Sequence, residues 1–408
     1  MKSRYLFTPI ENLAFADRKM AFVSGPRQVG KTTLGKSLLK KRKSGSYHNW
    51  DDIEFRRLWT KNPKLLVLPP SPKKMSGLLM LDEIHKAKSW KRGLKGLFDT
   101  LDSPLDILVT GSARLNVFKK GGDSLLGRYV HFRLHPFTMR EMSSSPPASP
   151  DGFHEAVLNR SLRARPVGRE HLESLMRFGG FPEPLFAQNE KKARIWRRSR
   201  VEKVIREDLR DLSRIPELSR IEMLASLLPE KVGSSFSLSS LREDLEVAHD
   251  TARRWTLMLK ELYYFFEIKP WSRSVNRSLK KEGKIYLWDA GEVTGEPARF
   301  ENLVASHLLK ACDFWTDTGE GLFELYYLRN KEKQEIDFLI VRDRKPWLPV
   351  EVKWRDRSPS PSWKKFLPAL GVPFGVQLVS EAGHWEWRQA GDGKILIASA
   401  ADFLMYLV

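Results

Sequence analysis

The apolar positions in the first third of the chain fall in short continuous runs, separated by polar and helical patterns. These runs are Met20–Ser24, LLML at 78–81 and LDILV at 105–109. Short continuous apolar runs are typical of strands buried on both faces, as in a parallel sheet that is covered by helices. We therefore expect residues 1–142 to form an α/β domain.

The hydrophobic pattern changes after this domain. The stretch SSSPPASP at 143–150 cannot easily continue a helix or a strand and indicates a linker. Residues 151–230 have a mostly helical pattern rich in Arg and Leu, which we interpret as a helical lid. Its basic helix has an apolar stripe that includes Ile195, Val204 and Ile205 and is expected to pack. The cationic face of that helix is either solvated or in contact with DNA.

A helix-turn-helix pattern follows within residues 231–290. A short helix at 239–245, the turn EVAHD and a second helix beginning near Asp250 are typical of this motif. The stretch that begins KIYL is expected to form the strand of a wing. The residues placed to meet DNA near the start of the second helix are Thr251, Arg253 and Arg254. The same arrangement also packs between domains without touching DNA, so both interpretations remain open.

Alternating apolar and polar positions return near the C-terminus, where EIDFLIVRDRKPWLPVEVKW predicts a β-hairpin. Side chains alternate between the two faces of a strand. Glu351 and Lys353 should therefore point one way, and Val350 and Val352 should point into a core. Asp337 lies in the partner strand among apolar residues, where a carboxylate needs a partner. The hairpin thus places two carboxylates and a lysine where they can meet.

A phosphate-binding pattern follows the first apolar run. The chain matches GxxxxGK[ST] from Gly25 to Thr32 and then continues with a helical pattern. Backbone N–H groups of such a loop bind phosphates, the lysine reaches the β- and γ-phosphates of ATP, and the threonine hydroxyl ligates Mg²⁺. The predicted nucleotide-binding residues are Gly25, Pro26, Arg27, Gln28, Val29, Gly30, Lys31, Thr32 and Thr33.

The second and third apolar runs also end in polar residues. Asp82 and Glu83 follow the run at 78–81. In a P-loop ATPase the first acid holds hydrated Mg²⁺ and the second orients the attacking water. The third run leads to Thr110 and Ser112, where a hydroxyl could sense the γ-phosphate. We predict that Asp82 and Thr32 bind the metal. The residues with predicted catalytic roles in this domain are Lys31, Glu83 and Ser112.

The charge of the chain adds a partner to this picture. Its formal net charge is +20 and its pI is about 9.9, which favours a polyanion, and nucleic acid before a membrane. The single cysteine, Cys312, lies in an apolar helical pattern and is expected to be buried. A disulfide framework is excluded, in agreement with a reducing cytoplasm. No apolar run is long enough for a spanning helix, so we expect a cytoplasmic protein with no membrane contact.

A series of motifs in a fixed order carries a family resemblance: GPRQVGKTT, LLMLDEIHK, LVTGSA, LLGRYVHFRLHPFTMREM, FGGFPEP and VIREDLRDL. Over nearly its whole length the chain resembles the prokaryotic AAA+-type ATPases that have a C-terminal DUF4143 region. The resemblance implies an α/β fold with a P-loop ATPase core (1–142), a helical lid (151–230), a winged-helix segment (231–290) and a restriction-endonuclease-like domain (291–408). It also favours Arg128, alone more typical of a surface charge, as an arginine finger between the subunits of a homo-oligomer such as a hexamer.

The restriction-endonuclease-like fold implied by the resemblance gives the hairpin a chemical meaning. In such PD-(D/E)xK folds an acid from a helix, an Asp on one strand and Glu-x-Lys on the next converge on Mg²⁺. The metal activates water, and the lysine stabilises charge on the phosphate. The matching residues are Glu301, Asp337, Glu351 and Lys353, with Asp337 and Glu351 as metal ligands. The domain either cleaves DNA or persists as a platform that binds it.

Two classes of function are consistent with these patterns. The first is an ATP- and Mg²⁺-dependent enzyme that acts on duplex or branched DNA, with or without metal-dependent cleavage. The second is a nucleotide-controlled switch or scaffold whose nuclease-like domain is catalytically silent. Stimulation of ATP hydrolysis by DNA distinguishes the first class from the second.

Overall fold

A computed structural model shows the chain as two compact units, Met1–His135 and Pro136–Val408, which we call unit 1 and unit 2. The residues that the structure describes are 2, 4–42, 44–66, 77–101, 105–111, 125–162, 167–208, 218–272 and 282–408. Ser112, with its predicted catalytic role, lies outside them. No helix among the described residues is long and apolar enough to cross a membrane.

A parallel sheet organises unit 1. Its described strands are β1 (Met20–Ser24), β2 (Gly45–Asn49), β3 (Gly77–Asp82), β4 (Leu105–Gly111) and β5 (Tyr129–Arg133). They lie in the order β2–β3–β4–β1–β5, and every neighbouring pair is parallel. The three apolar runs became β1, β3 and β4, which confirms the α/β fold. The two outer strands mix polar and apolar residues and are half-buried except at Phe132, so the sequence shows no continuous apolar run there.

Helices cover both faces of this sheet. They are α1 (Phe7–Pro9), which continues as Ile10–Phe15, α2 (Lys31–Arg42), α3 (Ile53–Lys61) and α4 (Trp90–Asp99). Helix α2 packs so closely on β3 that a Cβ on Gly35 would lie 2.4 Å from the Met80 side chain. Leu79 and Leu81, which alternate with Met80, join the apolar core that α3 and α4 form on the other face.

Unit 2 begins with helices. They are α5 (Met139–Met142), α6 (Phe153–Leu158), α7 (Val167–Phe178), α8 (Pro182–Ala187), α9 (Glu190–Glu202), α10 (Leu218–Leu227), α11 (Leu238–Leu245) and α12 (His249–Glu261). The helix pair predicted around the turn EVAHD is present as α11 and α12. Helix α12 leads into an antiparallel hairpin of β6 (Phe265–Pro270) and β7 (Lys284–Leu287).

The remainder of unit 2 is a second α/β layer. Its elements are α13 (Glu296–Asp317), β8 (Phe323–Arg329), β9 (Glu335–Arg342), β10 (Lys345–Lys353), α14 (Ser362–Leu370), β11 (Gly375–Val379), β12 (Trp385–Ala390), β13 (Gly393–Ser399) and α15 (Ala400–Phe403). The described strands form one sheet in the order β12–β13–β11–β10–β9–β8–β6–β7. The β6–β7 hairpin therefore extends the C-terminal sheet. Cys312 is buried in α13, as expected.

The predicted C-terminal hairpin is present as the antiparallel pair β9 and β10. Its turn is Asp343–Arg344, whose φ angles of 50° and 66° are typical of a two-residue type I′ turn. Burial along β10 differs from the prediction in one respect. Val352, expected in the core, is half-buried, whereas Glu351 is only 3% exposed. Because helices α13 and α14 pack on this sheet, its polar positions do not simply face solvent.

Strand β9 contains a β-bulge at the position where its carboxylate lies. Asp337 and Phe338 together lie opposite Tyr327 of β8, because the register shifts by one residue there. A bulge bends the strand locally and re-aims a side chain. On the other side of β9, the last pair of the ladder with β10 is Phe338 opposite Val350. Asp337 thus lies at a bulge on the β8 side, where the ladder continues to Ile336 and Glu335, and just beyond the last paired residue on the β10 side.

The packing of basic helix α9 also differs from the prediction. Ile195 is 62% exposed, while Trp196 and Arg200 are buried. The apolar stripe was wrong at Ile195 because the inward face of the helix is formed by Ala193, Trp196 and Arg200. Arg200 makes an ion pair with Glu292 there, at 3.2 Å. Its guanidinium also lies 4.4 Å from the Phe181 ring centroid. A charged side chain therefore holds one of the packing positions of this helix, and Ile195 lies outside the packed face.

Candidate nucleotide site and acid cluster

The phosphate loop joins β1 to α2 with the backbone geometry that its glycines allow. Gly25 has φ 153° and Gly30 has φ 101°, a region that favours glycine. A Cβ on Gly25 would lie 2.3 Å from the carbonyl oxygen of Leu134. Within the loop, Lys31 Nζ donates to the carbonyl oxygens of Gly25 at 2.9 Å and Pro26 at 2.8 Å. The ammonium group thus lies inside the curve where phosphates would bind.

Asp82, at the end of β3, is a buried carboxylate with hydroxyl donors on several elements. Its Oδ2 accepts from Thr32 at 2.8 Å and from Tyr47 at 3.2 Å, and its Oδ1 accepts from Thr110 at 2.5 Å. These donors come from α2, β2 and β4. A buried carboxylate is stable only when its oxygens are satisfied in this way. The Asp82–Thr32 pair is also the pair that the sequence predicted as the metal ligands.

Glu83 follows Asp82 in a left-handed backbone conformation, with φ 56° and ψ 21°. A non-glycine residue in this region is uncommon and occurs often at functional sites. Its N–H donates to the carbonyl oxygen of Thr110 at 2.8 Å, which ties the residue to β4. Its carboxylate lies 3.4 Å from Nε2 of the buried His85. Sequence reasoning gave His85 no role, and the structure places it against the predicted catalytic acid.

Arg128 lies far from the phosphate loop of its own chain. Its carbonyl oxygen accepts from the N–H of Met20, at the start of β1, whereas the loop follows the other end of that strand. Five residues of extended strand separate the two ends by about 16 Å. The guanidinium forms two hydrogen bonds to Asp99, at 2.7 and 3.1 Å. This pairing holds the pKa of Asp99 below its usual value.

The predicted DNA-binding residues lie in the first turns of α12. Arg253 and Arg254 are exposed and Thr251 is half-buried, while Trp255 and Ala252 pack inward. In the part of the chain that the structure describes, neither arginine forms an ion pair. Both guanidinium groups are therefore available for phosphate contacts.

The four residues predicted for the nuclease-like site lie on α13, β9 and β10. Asp337 Oδ2 accepts from the N–H of Val352 at 2.8 Å, and the N–H of Asp337 donates to Glu351 Oε2 at 3.3 Å. Lys353 Nζ lies 2.8 Å from Glu351 Oε1. Beyond the last paired residues of β9 and β10, the carboxylates of Asp337 and Glu351 thus accept from main-chain N–H groups in the way that carbonyl oxygens do along the rest of the ladder.

Glu301 joins this group through a lysine that sequence reasoning did not select. Lys284 of β7 lies with its Nζ 3.7 Å from Glu301 Oε1 and 3.7 Å from Asp337 Oδ1, and it forms an ion pair with Glu335. Its side chain is 5% exposed. Tyr286, on the same strand, donates to Glu301 Oε1 at 2.8 Å. We call Lys284, Glu301, Glu335, Asp337, Glu351 and Lys353 the acid–lysine cluster.

Burial perturbs the titration of the acid–lysine cluster. Burial, with the nearby Asp337, raises the pKa of Glu301 to about 7 and that of Glu351 to about 7. Burial alone would lower the pKa of Lys284, but the carboxylates of Glu301, Asp337 and Glu335 raise it above its usual value. Lys284 is therefore fully charged at neutral pH.

The acid–lysine cluster fits a divalent metal poorly as it stands. Among the described residues, no group of three or more His, Cys, Asp or Glu side chains is arranged to hold a metal ion. The Asp337 oxygens face the Val352 N–H and the Lys284 ammonium, and the Glu351 oxygens face Lys353 and the Asp337 N–H. Positive groups therefore lie where a metal would need open carboxylate oxygens.

Comparison with protein families divides the chain into three matched regions. Residues 17–143 match an AAA domain, residues 169–294 match a domain of unknown function (DUF8612), and residues 298–394 match a domain of unknown function (DUF4143). The first and third matches confirm the resemblance that the motifs carry.

Relatives and solved structures resemble the chain at low identity. An uncharacterized protein of Mycobacterium tuberculosis is 24% identical over 353 residues, which are 84% of this chain and 71% of that protein. An uncharacterized protein of Haemophilus influenzae is 21% identical, over 78% of each chain. AMPPCP-bound DnaA from Aquifex aeolicus is 16% identical, with a TM-score of 0.30 over 63% of this chain and 86% of that one. A TM-score of this size supports no conclusion about function.

Proposed function

Because the chain has an AAA domain near its N-terminus and a DUF4143 domain near its C-terminus, we propose that it hydrolyses ATP and binds duplex or branched DNA. The observation that carries the ATPase proposal is the placement of three side chains. Lys31 lies inside the phosphate loop, and Thr32 and Asp82 are hydrogen-bonded to each other beside it. A lysine donor and a hydroxyl–carboxylate pair are the groups that a nucleotide phosphate and Mg²⁺ require.

Each residue of this site then has a defined task. Lys31 exchanges the carbonyl oxygens of the loop for the β- and γ-phosphate oxygens of ATP. Thr32 and Asp82 would hold Mg²⁺, which supplies neutralisation of phosphate charge when bound. Glu83 orients the attacking water and accepts its proton. Thr110 holds Asp82 in place through its hydroxyl.

The DNA-binding part of the proposal is supported by charge and exposure. The chain carries 70 Lys and Arg against 50 Asp and Glu, and such an excess favours a polyanion. Two exposed surfaces of unit 2 contribute to it: the start of α12, with Arg253 and Arg254, and the outward side of α9, with Lys192 and Arg198. Cations at the start of a helix that follows a helix and a turn are placed as in helix-turn-helix proteins.

Cleavage of DNA by the acid–lysine cluster is a second candidate activity. It is favoured by the closeness of Asp337, Glu351 and Lys353, the residue types of a metal-dependent nuclease. We prefer a catalytically silent domain that binds DNA without cutting it. Positive groups of the protein already face the oxygens that a metal would use.

We also propose that the protein acts as a homo-oligomer. Arg128 lies at the end of the sheet where β1 begins, and its own phosphate loop lies at the opposite end. It could therefore complete only the site of a neighbouring subunit. An arginine finger supplied in trans stabilises charge on the transferred phosphate.

Phosphate release by the full chain, with and without linear, forked and four-way DNA at a stated salt concentration, tests the main proposal. We expect hydrolysis that requires Mg²⁺ and rises when DNA is added. Lys31→Ala is the control for contaminating ATPases. Hydrolysis that DNA binding leaves unchanged would favour a nucleotide-controlled switch, and the absence of Mg²⁺-dependent hydrolysis would contradict the ATPase proposal.

A further inference from the structure

We propose that Lys284 is the resident cation of the acid–lysine cluster and takes the place that a divalent metal has in a metal-dependent nuclease. Its ammonium forms an ion pair with Glu335 and lies 3.7 Å from one oxygen each of Glu301 and Asp337. The three carboxylates come from α13 and β9, and the lysine comes from the β6–β7 hairpin. One protein cation therefore pairs with acids from two separate elements.

The burial of Lys284 shows that this arrangement is built into the fold. The side chain is 5% exposed, and an ammonium group is rarely buried unless it is paired. Its Nζ also lies 5.5 Å from the centroid of the Tyr327 ring, a favourable position for a cation. An accidental surface contact would leave the lysine head in water, where long side chains normally place it.

The other donors around the acids leave little capacity for a metal. Tyr286 donates to Glu301, Val352 N–H donates to Asp337, and Lys353 pairs with Glu351. A divalent ion of the Mg²⁺ type needs several open oxygens in near-octahedral geometry. To bind here, it would have to displace Lys284 into an apolar surrounding without a counter-charge, which is strongly unfavourable.

This role explains why the lysine lies on β7. In the sheet, β6 and β8 separate β7 from β9. The side chains of Lys284 and of its partners Glu335 and Asp337 extend towards each other and meet between these strands. The ion pairs thus attach the β6–β7 hairpin to the C-terminal part of the sheet.

Thermal unfolding of the full chain in EDTA, and with MnCl₂ or MgCl₂ in the absence of nucleotide, tests the proposal. For the natural chain, any change of the melting temperature caused by the metal should be the same with and without the substitution Asp337→Ala. Lys284→Met should melt several degrees lower in EDTA, because three carboxylates lose their cation, and MnCl₂ should then raise its melting temperature. That rise should vanish in Lys284→Met with Asp337→Ala, which places the ion in the cluster and not beside Asp82.

Matched variants keep the test decisive. Lys345→Met removes an exposed lysine of β10 and should leave both the melting temperature and its metal response unchanged. If Lys284→Met does not fold, Glu335→Gln removes a partner of the same ammonium and should lower the melting temperature more than Glu332→Gln, at an exposed position nearby. A natural chain stabilised by Mn²⁺ in a manner lost with Asp337→Ala would overturn the proposal. So would a Lys284→Met chain as stable as the natural one.

Discussion

At the residue scale, Lys31 has two tasks. Its ammonium group donates to the carbonyl oxygens of the loop before ATP is bound, and it is expected to bind the phosphates afterwards. Lys31→Ala should therefore abolish ATP turnover and weaken nucleotide binding strongly. Glu83→Gln should keep binding and stop hydrolysis, because the amide cannot take a proton from water. Titration with a fluorescent nucleotide and single-turnover phosphate release measure the two effects. Wild-type hydrolysis by Glu83→Gln would remove the assignment of Glu83.

Tyr47 was not singled out by any motif, yet its hydroxyl donates to Asp82 at 3.2 Å. Tyr47→Phe should leave the fold intact and deprive the carboxylate of one donor. A hydrogen bond to a charged group is worth about 1.5–3 kcal/mol. We expect the Mg²⁺ concentration that gives half-maximal ATP hydrolysis to change by about tenfold, with a smaller change in the maximal rate. Tyr129→Phe, on β5, is the matched control, and an unchanged Mg²⁺ titration of Tyr47→Phe would contradict the role.

His307 predicts a pH dependence of stability. Its Nε2 accepts from the N–H of Met139 at 3.0 Å, and its Nδ1 lies 2.8 Å from the carbonyl oxygen of Leu303, so the folded state needs the neutral ring. Burial lowers its pKa to about 4. The stabilisation is complete above about pH 6.5 and is lost as pH falls towards 4, by about 2 kcal/mol at pH 5.

Urea unfolding of the natural chain and of His307→Gln at pH 7 and pH 5 measures this effect. The glutamine can accept and donate at similar positions but does not titrate. Its unfolding free energy should therefore fall less between the two pH values. Equal losses in the two chains would assign the acid sensitivity to other groups.

At the scale of elements, α12 should contribute to DNA affinity through phosphate contacts. Arg253→Ala with Arg254→Ala should weaken binding at all sequences. If each arginine neutralises one phosphate, the double substitution should reduce the magnitude of the slope of log affinity against log salt concentration by about 2. Fluorescence anisotropy across a salt series measures both. Lys331→Ala with Lys333→Ala, on an exposed turn, is the matched control. An equal loss in both double variants would indicate a diffuse charge effect.

Much of the element pattern could be predicted from the sequence because it depends on local periodicity. The runs that became β1, β3 and β4 and the hairpin of β9 and β10 follow directly from apolar spacing. Strand β2, with the sequence GSYHN, could not be predicted, since it is held by pairing with β3 and not by its own side chains. The motif residues around Asp82 could be placed for the same local reason.

The acid–lysine cluster shows where such prediction ends. Glu301, Asp337, Glu351 and Lys353 were expected together, and the structure brings them near one another. Lys284 was expected only as part of a wing strand. Its role depends on the pairing of β6 with β8, a long-range contact that no local pattern encodes. A lysine within the apolar stretch KIYLW was the signal available, because a charge in a buried strand needs a partner.

At the scale of the whole molecule, Arg128 predicts complementation between subunits. Arg128→Ala and Lys31→Ala chains should each be nearly inactive alone. In a mixture, a Lys31→Ala subunit can supply its arginine to the intact phosphate loop of an Arg128→Ala neighbour. ATP hydrolysis should then recover part of the wild-type rate. Sedimentation with ATP provides the control for assembly. A monomeric chain with normal turnover would contradict the assignment.

The pairing between β6 and β8 is short. It consists of Lys269 opposite Tyr326 and Pro270 opposite Tyr327, and a proline has no N–H to donate. If DNA pulls on α12, the load reaches the C-terminal sheet through this short pairing, where the N–H of Trp271 also donates to the carbonyl oxygen of Tyr327 at 2.7 Å. The ion pairs of Lys284 with Glu335 and Asp337 also join the two sides of this pairing. Two hydrogen bonds between the Asn302 side chain and the main chain of Leu287 hold the same hairpin. A neutral residue at position 284 would therefore remove the ionic part of this attachment and make the hairpin yield more easily under load.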